Sequence, residues 1–160
     1  MGKKTKTPST LLQQTQYFAA RIIFCNLPGS HAEKAPLVPR VLIADDNEIF
    51  RQALRSMFNG ASTEWSVCGE AANGLEAVQL TAKLMPDVVL MDFQMPIMNG
   101  LEAAREIARN HPVPIAMYTM HQNPLFETQA QAFGVRKVIS KTNVFTALIP
   151  SLREIVEKDH

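Results

Sequence analysis

Four apolar stretches of this 160-residue sequence end in a side chain that can bind or move charge. "RVLIADD" ends in Asp45 and Asp46, "PDVVLMD" in Asp92, "VPIAMYT" in Thr119 and "RKVISK" in Lys141. If the runs form neighbouring strands, the acids converge. Each carboxylate pair at ~4 Å repels by about 4 kcal/mol at an effective dielectric of 20, so either one protonates or a cation joins them. A hard divalent ion such as Mg²⁺ suits an all-oxygen set. Beside it, Asp92 can attack phosphorus as a nucleophile. The ion and Lys141 would neutralise the equatorial oxygens, and Thr119 would donate a hydrogen bond. No histidine or cysteine nucleophile is needed. His31, His111, His121 and His160 show no ligand spacing, and Cys25 and Cys68 form no CxxC pattern, which fits a reducing compartment.

The elements that must position these groups follow from periodicity. Apolar runs of four to six residues alternate with helix-period stretches from Val41 onward, the rhythm of a parallel α/β sheet. The strand candidates are 40–44, 64–70, 86–91, 113–119 and 136–140. Three of them are continuously aliphatic, as strands covered on both faces are. "EIFRQALRSMF" and "GLEAVQLTAKLM" read as amphipathic helices, with Phe50, Ala53, Leu54, Met57 and Phe58 on the core face of the first and Leu75, Val78, Ala82 and Met85 on that of the second. "GLEAAREIARN", "PLFETQAQAFG" and "VFTALIPSLREIVEK" supply three more, and Pro150 is expected to kink or break the last after Ile149. Right-handed crossovers place all strand carboxyl ends on one edge, where doubly wound folds bind ligands. In the flavodoxin-like order 2-1-3-4-5, strands one and three are neighbours ~4.8 Å apart. Strand four brings the Thr119 hydroxyl close, and only a side chain as long as Lys141 reaches in from strand five.

The formal charge of +1 hides an asymmetry. Residues 1–40 carry six Lys/Arg and one acid, and the remainder carries ten and fourteen. Together with Pro28, Gly29, Pro36 and Pro39, this reads as a loose N-terminal extension over 1–39, in which Leu11 to Asn26 is at most a short helix, ahead of one domain over 40–158. No apolar run reaches the ~18 residues of a membrane span, and Gln13, Gln14, Gln16 and Arg21 interrupt any signal-like core. A net acidic main domain repels nucleic-acid phosphates, so direct DNA binding by it is not expected. A cytoplasmic protein fits these features.

In "VLIADDN", "MDFQMPIMNG", "MYTM" and "VISK", in that order and spacing, the stretch from Arg40 to Lys158 resembles the receiver domain of bacterial two-component response regulators. Within that family it is most like receivers that precede a LuxR-type helix-turn-helix. The resemblance implies a flavodoxin-like (βα)5 three-layer sandwich. It also implies that Asp92 accepts a phosphoryl group from a histidine kinase or phosphotransfer protein. Asp45, Asp46, Asp92 and the main-chain carbonyl of Gln94 would hold Mg²⁺, and Thr119 and Lys141 would contact the phosphoryl oxygens. Two positions depart from the pattern: Val138 stands where many receivers carry a switching Tyr or Phe, and Thr142 where a proline often follows the lysine. Nineteen residues follow Lys141, room for one helix but not for a DNA-reading domain. The expectation is a stand-alone receiver that signals to a downstream protein by contact, with a homodimer left open, and no enzyme beyond self-phosphorylation and autodephosphorylation. The alternative is a phosphorylation-independent binding module. A haloacid-dehalogenase-type phosphotransferase would need a second acid where Gln94 stands.

Overall fold

The computed structural model describes residues 38–61, 64–120 and 122–158. The expectations placed on residues 1–37, and on His121 and His160, lie outside these. The described chain alternates β1 (Arg40–Ala44), α1 (Glu48–Ala61), β2 (Ser66–Ala71), α2 (Gly74–Leu84), β3 (Val88–Asp92), α3 (Gly100–Asn110), β4 (Ile115–Thr119), α4 (Pro124–Ala132), β5 (Val135–Ser140), a 3-10 turn (Lys141–Asn143) and α5 (Val144–Lys158). The five strands form one parallel sheet in the order β2-β1-β3-β4-β5. The flavodoxin-like fold and strand order expected from the sequence are therefore what the chain adopts.

The sheet is covered on both sides because its central strands are apolar at successive positions. All five residues of β3 and of β4 are buried. Side chains alternate between faces. Leu42, Val89, Met91, Ile115 and Met117 pack with Ala77, Ala104 and Ile107 beneath α2 and α3, while Val41, Ile43, Leu90, Ala116 and Tyr118 pack with Leu54, Phe58, Leu148 and Leu152 beneath α1 and α5. By the same alternation Asp92 follows Val88 and Leu90 onto the α1–α5 side, together with Tyr118, whereas Thr119 follows Met117 onto the other.

Asparagine caps the first four helices. Asn73, Asn99 and Asn123 accept from the backbone N–H three residues on, and Asn99 forms a capping box with Glu102. Asn47 does the same for Phe50 at the head of α1. That task is thus not left to Asp45 or Asp46.

Two helix expectations are corrected. The core stripe of α2 is not Leu75, Val78, Ala82 and Met85. Leu75 and Ala82 are exposed, Met85 is the C-cap, and Gly74, Ala77 and Thr81 are buried instead, with Val78 at the margin. Small residues face inward because α2 lies against the loop before α3: a Cβ on Gly74 would sit 2.3 Å from the Met98 carbonyl oxygen. Nor does Pro150 break α5, which runs through it. Leu148, Leu152 and Ile155 are buried on both sides of the proline. Pro150 and Thr146, whose carbonyl loses its helical donor, are both exposed, where solvent is free to supply the missing bond.

Candidate acidic pocket at the strand ends

Asp45 follows the last residue of β1 and is fully buried; Asp46 beside it is exposed. Asp92, the last residue of β3, is 3% exposed. The pairing of β1 with β3 in register, Ala44 opposite Met91, sets these acids side by side, and one carboxylate oxygen from each of Asp45, Asp46 and Asp92 lies within 4.8 Å of the others. The loop after β3 returns tightly to open α3. Gly100 is required there, since a Cβ would lie 2.2 Å from the Asp92 carbonyl oxygen.

Lys141, one residue past β5, bridges the pocket. Its Nζ lies 2.9 Å from Asp92 Oδ2 and 3.1 Å from Asp45 Oδ2. The second Asp45 oxygen accepts from the Asn47 N–H at 2.7 Å. Burial pushes the Asp92 carboxyl above the usual carboxylate range. Hydrogen bonds from Lys141 and the Gln94 backbone N–H pull it back in part, and the Asp45 charge adds to the rise. Burial alone would lower Lys141, but its bonds to Asp92 and Asp45 outweigh that and raise it. The ammonium is therefore held charged between two acids. Three carboxylates balanced by one ammonium leave the pocket net negative, and an all-oxygen donor set of this kind fits a hard divalent cation.

Of the residues singled out in the sequence, the structure brings together Asp45, Asp46, Asp92 and Lys141. Thr119 ends β4 at the same edge, buried to 1% exposure, and Gln94 lies exposed in the loop two residues after Asp92. Val138 packs at the margin of the α2–α3 core.

Sequence reasoning missed three neighbours. Arg51 donates from Nη1 to the Asp45 carbonyl at 2.7 Å and lies 3.4 Å from Glu70. Tyr118 donates its hydroxyl to the Ala44 carbonyl at 3.2 Å, buried among the core side chains. Phe50 stacks on Tyr118. A lone aromatic at the end of an otherwise aliphatic β4, and residues five and six places after Asp45 on a helix that starts at the same rim, were the available signals.

Comparison with known proteins agrees with the fold. The family model described as "Response regulator receiver domain" matches residues 41–153. The protein-glutamate methylesterase/protein-glutamine glutaminase of Pyrococcus abyssi is 46% identical over 78 residues, which are 49% of this chain and 21% of that protein. The chain thus spans about a fifth of the length of such relatives. The response regulator domain of Thermotoga maritima CheB superposes with a TM-score of 0.70 at 29% identity, over 75% of this chain and 97% of that one. The signal receiver domain of NarL from Mycobacterium tuberculosis does so at 0.72 and 27%, over 76% and 98%.

Proposed function

This chain belongs to the response regulator receiver domain family, and on that premise we propose that it is a phosphorylation-controlled signalling module whose phosphoacceptor is Asp92. The observation that carries the reading is the buried Asp92 carboxylate held within 2.9 Å of the Lys141 ammonium and within 4.8 Å of Asp45 and Asp46. An Asp92 oxygen attacks the phosphorus of a phosphohistidine on a histidine kinase or phosphotransfer protein; the new O–P bond forms as the P–N bond breaks, and the imidazole leaves with the electron pair. Lys141 offsets charge on the equatorial oxygens, and the Thr119 hydroxyl donates to one of them. Asp45, Asp46, Asp92 and the Gln94 carbonyl are the groups that would hold Mg²⁺, which when bound lowers the repulsion between the acids and the incoming phosphoryl group.

The module then acts on a downstream protein by contact, in the cytoplasm, with no turnover substrate of its own. The methylesterase and glutaminase activities named for the curated relatives belong to proteins of which this chain matches about a fifth, and the Asp92 pocket needs neither to account for it.

Incubation with acetyl phosphate, with and without Mg²⁺, followed by intact mass, tests the reading. The expected result is a Mg²⁺-dependent gain of one phosphoryl group that hydroxylamine removes and that Asp92→Asn does not acquire. No gain under conditions that phosphorylate a control receiver would reject it in favour of a phosphorylation-independent protein-binding module.

A further inference from the structure

The Lys141 ammonium meets more than carboxylates. Its Nζ lies 4.9 Å from the ring centroid of Phe50 and 5.1 Å from that of Tyr118. The two rings stack at 5.6 Å with their planes 23° apart. Both separations are within the ~6 Å over which a ring face attracts a cation, an effect that strengthens where water is excluded. The rings come from separate elements, Phe50 from the first turn of α1 and Tyr118 from β4, and Phe145 of α5 tilts against Phe50 at 5.8 Å. Tyr118 is anchored by full burial and by its hydroxyl on the Ala44 carbonyl, immediately before Asp45.

Lysine is a flexible stem carrying a compact, strongly hydrated charge, and fixing it costs rotamer entropy. Its two partners, Asp45 and Asp92, are also carboxylates that would hold a cation, so a bound cation would compete with the ammonium for them. Ring faces are not open to that competition. They would keep hold of the ammonium while its acid partners were shared.

We propose that Phe50 and Tyr118 are positioning residues that bracket the Lys141 ammonium and keep it at Asp92 when a cation and a phosphoryl group enter the pocket. This rests on the phosphoacceptor reading and adds to it the groups that set the reach of the lysine. A packing role for Phe50 would be met by any apolar side chain of similar size; a bracketing role requires an aromatic face.

Phosphorylation of the full chain by acetyl phosphate at saturating Mg²⁺ separates the two roles, with Phe50→Leu compared against Phe50→Tyr. Phe50→Leu is expected to slow phosphoryl gain by about three- to tenfold. Phe50→Tyr, whose added hydroxyl can reach solvent from this half-buried site, stays within about twofold of the native chain. The Mg²⁺ concentration for half-maximal rate does not rise in either. Equal rates in the two variants at similar melting temperatures would overturn the bracket and leave Asp92 as the acceptor, whereas a native chain that gains no phosphoryl group would overturn both. If Phe50→Leu does not fold, Phe50→Met, apolar and without a ring, carries the same expectation.

Discussion

At Asp92 one carboxylate carries two opposing demands, burial and charge. Its carboxyl titrates above the usual range chiefly because it is buried, so the folded chain holds that proton more tightly than the unfolded one. Such a group favours folding most below its unfolded value, and the contribution is lost as pH rises through the folded one. At neutral pH and without metal, ionised Asp92 therefore opposes folding. Asp92→Asn, which leaves Lys141 its contact with Asp45, is expected to raise the melting temperature by a few degrees at pH 7 in EDTA. The gap should close as the pH is lowered toward 4. A variant that melts below the native chain at pH 7 would contradict this. That Asp92 is a strand-end acid was legible, because four aliphatic or thioether side chains precede it and only its edge of the sheet can accept a charge. That Lys141 rests on two rings was not legible: the contact is made by residues of α1, β4 and the turn after β5 and exists only once those elements are packed.

Among the elements, the strands were the most readable and two helices the least. A continuous aliphatic run has one good solution in a two-sided parallel sheet, and the observed strands fall within two residues of those expected at each end. The α2 stripe was hidden because its inward face is Gly74, Ala77 and Thr81, residue types that look neutral until a neighbouring backbone is known to approach within contact. In α5 the proline signal was real but outweighed. Val144, Leu148, Leu152 and Ile155 bury one face across it, and tertiary packing supplies most of the stability of a helix this size. Pro150 nonetheless still lacks a donor. Pro150→Ala, at an exposed position, should stabilise the chain by about 1–3 kcal/mol in urea or thermal unfolding; an unchanged midpoint would mean that the helix has fully absorbed the proline.

On the scale of the whole molecule, the chain was divided by composition into a basic, proline-punctuated extension and an acidic domain. We expect removal of residues 1–35 to leave the melting temperature within about 2 °C, well under the shift that a 1 kcal/mol loss gives a domain of this size. Among the described residues, the five strands and their covering helices lie at Arg40 or beyond. A large drop in stability would show that the extension packs on the domain. The flavodoxin-like order came from the family resemblance, and β1, apolar on both faces, does sit between β2 and β3.

The Lys141–Asp45 contact joins residues 96 positions apart. A ribosome releases Asp45 and Asp92 long before it releases the lysine that balances them. Without β5 the β4 edge would lie open, and Asp45 and Asp92 would have no ammonium between them. Completion of the pocket therefore waits on the last strand of the sheet. If Asp92 accepts a phosphoryl group as proposed, only a chain with β5 and Lys141 in place offers the complete pocket, so phosphoryl gain would double as a report of assembly.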